Sequence, residues 1–219
     1  MNIIMTGSTS FVGAATVREL LRRGHTVTAI VRPKSSKLDT ILEGNEEALL
    51  SGRLLVTEND LSEPEKLLEK VTKPQDVFCH FGWGGSGSAS RTDKALQEKN
   101  MEISLETIRT AKALGCKKFL FSGSQAEYGM HQDLITEDTV CEPKSLYGEA
   151  KLAMREKGEK LCDELGLRYI HARIFSAYGP GDHPWTLVES CLDAFLNNKE
   201  MSLGACTQKW NFLYIDDLA

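Results

Sequence analysis

The sequence predicts a doubly wound α/β domain, a parallel sheet with helices on both faces. Three observations point there. Short apolar runs alternate with amphipathic stretches of helical period along most of the chain. The 219 residues, 41% of them hydrophobic, exceed one average domain of about 150 residues and are enough for a large core. The first apolar run ends in a glycine-bearing turn that opens straight into a helical stretch, the local form of a strand-helix-strand unit.

Taken in order, the apolar run 2–6 reads as a strand, the amphipathic stretch 11–23 as a helix, and 26–31 as the second strand. A weaker helical stretch covers 35–50, followed by a strand at 53–57, a helix at 64–71 and a strand at 76–81. A long helix spans 92–114 and leads to an apolar strand at 117–122. A loop of roughly twenty residues precedes a helix at 145–165 and a strand at 168–175. The segment 82–90 is rich in Gly and Ser and reads as flexible. No internal repeat interrupts this order.

Charge narrows the functional classes. Lys and Arg number 26 against 31 Asp and Glu, a net charge of −5 with no long run of either sign, so neither nucleic acid nor an anionic membrane surface is an expected partner. No stretch reaches the ~18 consecutive apolar residues of a membrane span, and the opening MNIIMTGSTS has neither a basic start nor an extended apolar run. Six cysteines stand singly at 79, 116, 141, 162, 191 and 206, with no metal-type Cys/His spacing. These features predict a cytoplasmic protein with reduced thiols, no metal, and a small-molecule substrate.

After the first strand comes Thr6-Gly7-Ser8-Thr9-Ser10-Phe11-Val12-Gly13. In a dinucleotide-binding fold a pyrophosphate sits here: Gly7 permits the tight turn, the N–H groups of Phe11 and Val12 face the anion along the helix dipole, and Gly13 lets helix pack on strand. Ser10 stands where most such loops have glycine, so its backbone must suit a side chain, and its hydroxyl is a candidate phosphate donor. Arg32 ends the second strand, where an acidic residue would bind the ribose 2′-OH of NAD and an arginine the 2′-phosphate of NADP. With Lys34 and Lys37 close behind it, Arg32 predicts a preference for NADP over NAD.

Tyr147 and Lys151 lie four apart on one face of a predicted helix, so the ammonium sits near the phenol. A nearby cation lowers a tyrosine pKa towards neutrality, which a general acid/base requires. The spacing is common by chance. Its context is stronger, because 23 residues before Tyr147, at the carboxyl end of a predicted parallel strand, stands Ser122-Gly123-Ser124.

With these residues in order, the chain resembles the extended branch of the short-chain dehydrogenase/reductase superfamily, the NAD-dependent epimerase/dehydratase family of nucleotide-sugar enzymes. The resemblance is carried by the loop Gly7 to Gly13, Asp60-Leu61, His80-Phe81-Gly82, the set Ser124, Tyr147 and Lys151, and Arg173-Ile-Phe175-Ser176-Ala-Tyr178-Gly-Pro-Gly181. It implies a Rossmann-like fold, with a nucleotide-binding domain over residues 1–175 and the start of a substrate-binding region over 176–219. It also implies that Tyr147 is the general acid/base, that Lys151 lowers its pKa and holds the nicotinamide ribose, and that Ser124, with Ser122 as an alternative, hydrogen-bonds the reacting oxygen. Thr9, Ser10, Phe11 and Val12 would meet the pyrophosphate and Asp60 and Leu61 the adenine. Phe81, Gly82, Trp83 and Asn100 would line the cofactor cleft, with Phe175 near the nicotinamide.

Several positions depart from the pattern. Trp83 is bulkier than usual, and Ser176 replaces an Asn that contacts the substrate diphosphate in many nucleotide-sugar enzymes. Gln125-Ala126 stand where dehydratases carry an Asp-Glu pair, so dehydration is disfavoured. The chain stops at Ala219 inside a stretch that resembles the opening of the family's C-terminal substrate lobe, so most of that lobe is expected to be missing and the sequence truncated. The expected activity is NADPH-dependent reduction of a nucleotide-linked 4-ketosugar. The alternatives are an NAD-dependent 4-epimerase, a reductase of a non-sugar carbonyl, and a non-catalytic dinucleotide-binding regulator. The helices at 92–114 and 145–165 resemble those that build a dimer in this family, so a homodimer is expected.

Overall fold

The computed structural model of the chain describes residues 1–85, 87 and 89–219. The reading of 82–90 as flexible falls in part on Ser86 and Ser88, outside the described residues. The first unit is strand β1 (Asn2–Thr6), helix α1 (Phe11–Arg22) and strand β2 (Thr26–Val31). The single helix expected at 35–50 is instead two short ones, α2 (Asp39–Leu42) and α3 (Glu46–Leu50). Gly44 lies between them at φ +74°, a left-handed conformation that a continuous helix cannot contain. Strand β3 (Leu54–Glu58) follows, then a 3-10 turn at Pro64–Lys66 that runs into α4 (Leu67–Lys70), in place of the one helix expected at 64–71.

The second half continues with β4 (Val77–His80), the long helix α5 (Lys94–Ala113) and β5 (Lys118–Ser124). Helix α6 (Leu146–Leu165) then leads to β6 (Arg168–Ile174). Asp93 caps α5 and Ser145 caps α6, each accepting a backbone N–H three residues on. Gly166, at φ +66°, ends α6 in a left-handed cap. Beyond β6 lie β7 (Ser176–Tyr178), α7 (Leu187–Leu196), β8 (Phe212–Tyr214) and α8 (Ile215–Leu218). Strands β7 and β8 form their own parallel pair.

The main sheet is six-stranded and all parallel, in the order β3-β2-β1-β4-β5-β6. The chain winds outward from β1 to β3, then crosses back to β4 beside β1, which leaves a crevice at the carboxyl ends of β1 and β4. Alternate strand residues feed two cores. On one face Ile4, Phe78, Phe119 and Phe121 pack with Leu67, Ile108 and Met154 from α4, α5 and α6. On the other Ile3, Met5, Val27 and Ala29 pack with Val17 and Leu21 of α1 and Ile41 of α2. Strands covered on both faces explain the nearly continuous apolar runs of the sequence.

Candidate active site

At the end of β1 the backbone is drawn tight. Gly7 has φ +70°, and a Cβ there would lie 2.7 Å from the Phe81 carbonyl carbon and 2.8 Å from the Gly82 nitrogen. A Cβ on Gly13 would strike the Gly7 carbonyl, so both glycines are required for α1 to approach the strand ends. Ser10 has φ −78°, which any L-residue adopts, so the missing glycine costs the loop nothing. Its hydroxyl accepts from Gly13 N at 3.1 Å and its carbonyl from Ala14 N at 2.7 Å. The N–H groups of Phe11 and Val12 are left at the helix start, where the dipole favours an anion. Thr9, Ser10 and Phe11 line a cavity of about 610 Å³ together with Lys37, Pro180 and Gly181.

Arg32 follows β2 directly and is exposed, as are Lys34 and Lys37. Lys34 takes φ +57°, and its N–H reaches Glu58 at the tip of β3, 3.4 Å away. The Asp60 carboxylate accepts from both the N–H and the hydroxyl of Ser62, 2.8 and 2.7 Å away, which holds it below the usual carboxylate range. Leu61 comes against Gly82, where a Cβ would meet its Cδ1 at 2.8 Å.

The segment from Phe81 to Gly84 is held by a chain of buried hydrogen bonds. Ser104 Oγ donates to the Asn100 carbonyl at 2.8 Å, so it accepts from His80 Nε2 at 3.1 Å. His80 Nδ1 therefore accepts from the Thr6 hydroxyl at 2.8 Å, and Thr6 accepts the Gly82 N–H at 3.3 Å. The Asn100 amide closes the chain by clasping both the N–H and the carbonyl of Gly84, each at 2.9 Å. His80 is thus a neutral imidazole with its hydrogen on Nε2. Burial, with the nearby Lys151 charge, pulls its pKa down to about 3.

Tyr147, Lys151, Trp83 and Ser124 meet at the carboxyl end of β5. Lys151 is 2% exposed; its Nζ donates to the Ser122 carbonyl at 2.8 Å and stands 3.9 Å from the Trp83 ring centroid and 4.6 Å from that of Phe121. The Trp83 ring meets Tyr147 edge to face at 6.2 Å, and its indole N–H donates to Gln97 Oε1 at 3.0 Å. The bulky residue thus roofs the lysine instead of projecting into open space. Ser122, the alternative to Ser124, lends its carbonyl to Lys151, whereas the Ser124 side chain acts on the Tyr147 phenol. Phe175 follows the end of β6, where Ile174 lies opposite Ser124, and its ring packs against Tyr128 at 6.0 Å.

The phenol and the ammonium differ from the expectation for the pair. Burial dominates at Tyr147 and leaves its pKa raised, with Ser124 and Arg91 pulling the other way. Desolvation pulls Lys151 down to about 7, opposed by the Glu127 carboxylate. Lys151 Nζ is 5.7 Å from the Tyr147 ring centroid and is not among the groups that shift the phenol in this state. Two residues to which sequence reasoning gave no role belong here. Arg91 stands 5.2 Å over the Tyr147 ring, and Glu127 lies buried beneath Ser124. A lone acid three residues after the candidate serine is the only sequence signal for Glu127.

The NAD dependent epimerase/dehydratase family profile matches residues 3–219. The chain belongs to that family. Among curated members of the family, a UDP-glucose epimerase of Bacillus subtilis described as uncharacterised is 27% identical, over 99% of this chain and 70% of its own length. The D-erythronate dehydrogenase of Cupriavidus necator is 30% identical, over 80% of this chain and 53% of its own length. Among solved family structures, the UDP-N-acetylglucosamine 4-epimerase of Methanobrevibacter ruminantium, in complex with UDP-N-acetylmuramic acid, superposes with a TM-score of 0.84. It is 25% identical, and the match covers 99% of this chain and 70% of that one. This family member therefore spans about half to seven-tenths of its relatives' lengths. Among the described residues no helix is long and apolar enough to cross a membrane.

Proposed function

We propose that this chain is the nucleotide-binding part of an NADP(H)-preferring 4-ketoreductase of a nucleotide-linked sugar. The reading rests on the convergence of Ser124, Tyr147 and Lys151 beside the glycine-lined strand ends. The substrate class is supported by the sugar-nucleotide names of the relatives, and the NADP preference by Arg32 with Lys34 and Lys37 around it. The tight Gly7 turn and the free N–H groups at the start of α1 fit a dinucleotide.

In this reading residues 1–175 hold the cofactor and 176–219 open the substrate region. Thr9, Ser10, Phe11, Val12 and Gly13 hold the pyrophosphate, Arg32 the 2′-phosphate, and Asp60 with Leu61 the adenine. Phe81, Gly82, Trp83 and Asn100 line the cleft, with Phe175 towards the nicotinamide. When bound, the reduced nicotinamide supplies a hydride to the sugar carbonyl carbon. Ser124 donates a hydrogen bond to the carbonyl oxygen, and Tyr147 gives it the phenolic proton as charge develops there. The phenolate left behind is stabilised by the Lys151 ammonium and the Arg91 guanidinium, and the three aromatic rings keep water from the lysine.

A second reading, a 4-epimerase that keeps NAD bound and uses the same residues to oxidise and re-reduce one carbon, is favoured by the names of two relatives. Fluorescence titration with NADPH and NADH separates the two. Preference for NADPH with net NADPH consumption on a UDP-4-ketosugar supports the reductase; tight NAD and epimerisation without net consumption overturn it. Half-buried Met101, Leu105 and Leu161 on α5 and α6 support a homodimer, which light scattering tests. Six free cysteines support a cytoplasmic location.

A further inference from the structure

We infer that Glu127, clamped by His171 and Arg173 of β6, is a positioning residue that sets the orientation of Ser124 and the electrostatics of Tyr147. The inference rests on the reading of Ser124 and Tyr147 given above, and extends it to side chains that never reach the cleft.

Glu127 closes the 3-10 turn Gln125–Glu127 that follows β5. Its Oε1 accepts the Ser124 N–H at 2.7 Å, while Ser124 Oγ accepts the Ala126 N–H at 3.2 Å. This reciprocal arrangement is a capping box. It uses one acceptor site of the Ser124 hydroxyl and leaves its hydrogen for the Tyr147 phenol or for a ligand oxygen beside it. The serine that faces the tyrosine is therefore oriented by a carboxylate that holds its backbone N–H and not its hydroxyl.

The carboxylate is fully buried, and a buried charge needs partners. They come from one face of β6, where residues two apart point the same way. His171 Nε2 lies 3.0 Å from both carboxylate oxygens, and Arg173 Nε donates to Oε2 at 2.8 Å. The register of the parallel pair, Phe121 opposite His171 and Gly123 opposite Arg173, brings these two side chains against the turn that carries Ser124. A Cβ on Gly123 would meet His171 Nε2 at 2.5 Å and Glu127 Oε1 at 2.7 Å, so the glycine before Ser124 is the space the pair occupies. Arg173 also donates to the Tyr128 hydroxyl at 2.7 Å and to Cys141 Sγ at 3.4 Å, which ties the turn to the loop leading to α6. His171 Nδ1 faces the Tyr169 hydroxyl at 3.1 Å, and that hydroxyl donates to the Met154 carbonyl of α6 at 2.9 Å. The cluster thus joins β5, β6 and α6, the three elements that carry or support Ser124, Tyr147 and Lys151.

Charge gives the cluster its second effect. Burial works against ionisation of Glu127, but His171, Arg173 and the Ser124 N–H outweigh it and hold the carboxyl below the usual range. The resulting negative charge opposes ionisation of the Tyr147 phenol and supports the charged form of Lys151.

The test uses the 219-residue protein labelled with [13Cζ]tyrosine and backbone 15N, with Tyr147→Phe assigning the Tyr147 signal. In folded Glu127→Gln, the Tyr147 titration midpoint falls by roughly half a unit or more, and the Ser124 amide proton moves upfield as its carboxylate acceptor is lost. An unchanged midpoint and an unchanged Ser124 amide in the folded variant overturn the inference and leave Glu127 a packing residue. Should Glu127→Gln not fold, acid titration of the unmutated protein decides. The Ser124 amide shift then follows the Glu127 side-chain carboxyl signal, read in protein also labelled with [13Cδ]glutamate, below the ordinary carboxylate range, if the inference holds. An amide that ignores that titration overturns it. Neither readout requires a substrate, so failure of the ketoreductase reading and failure of this inference are separate results.

Discussion

The two ends of the cleft are built from different materials. At the β1 end, the shape belongs to the backbone: Gly7 at φ +70°, Gly13 against the Gly7 carbonyl, and Ser10 as a helix cap. At the β5 end, the shape belongs to buried ionisable side chains: Lys151 under three aromatic rings, and Glu127 between His171 and Arg173. Glycines let the β1 turn reach φ +70° and close approach without steric strain, at a cost in backbone entropy alone. A buried lysine carries an electrostatic cost, because desolvation opposes its charge. The comparison teaches that the shape of the β1 end is compatible with fold stability, whereas the charged groups of the β5 end are held against it.

The largest expected effect breaks the second end outright. Tyr147→Phe should lower turnover by about 10² to 10⁴ while NADPH binding, read by nucleotide fluorescence, stays intact. Full turnover in that variant would remove the tyrosine from the mechanism. Next is Lys151→Met, in which the two ends part company: activity should be lost while the fold gains on the order of a few kcal/mol at pH 7, measured by urea denaturation. The sign follows from a lysine whose pKa drops from 10.5 to about 7 on folding. Between those values the unfolded chain binds the extra proton, so stability rises with pH across that window and the penalty is complete below it. The variant should flatten that slope, and a slope that survives it would exclude Lys151 as its source.

At the first end, Gly7→Ala forces an alanine to φ +70° with its Cβ 2.7 Å from the Phe81 carbonyl carbon. A loss of about 2 kcal/mol or more in denaturant stability should accompany loss of nucleotide binding. A stable variant that still binds would mean the β1 end is less tightly specified than its geometry implies. The smallest effect sharpens the cofactor assignment: Arg32→Ser should weaken NADPH binding by about tenfold and leave NADH unchanged, since one charge-assisted contact is lost. Equal effects on both nucleotides would sever Arg32 from the 2′-phosphate.

The sequence by itself determined the strand-helix alternation, the glycine turn and the tyrosine-lysine spacing, because each depends on residues within a few positions of one another. Apolar runs covered on both faces announce a parallel sheet, and a left-handed turn announces itself by glycine. What local pattern underestimated was interruption: 35–50 has helical periodicity, yet Gly44 breaks it into α2 and α3. The pairing of β7 with β8 across α7 was equally hidden, since Ser176 and Phe212 meet only after the intervening chain has folded.

Only the tertiary structure decided the electrostatics of the site. The four-residue spacing of Tyr147 and Lys151 brings them close, but burial determines that the phenol is raised and the lysine lowered. His80 was legible as a residue at a strand end, and its fixed tautomer emerged only when Thr6 and Ser104 were placed on its two nitrogens. Glu127 carried almost no local signal, because its partners lie 44 and 46 residues away on another strand. Propensity and turn chemistry act over a few residues and can be read along the chain. Desolvation and charge pairing depend on everything within several ångströms in space, which the chain order does not contain.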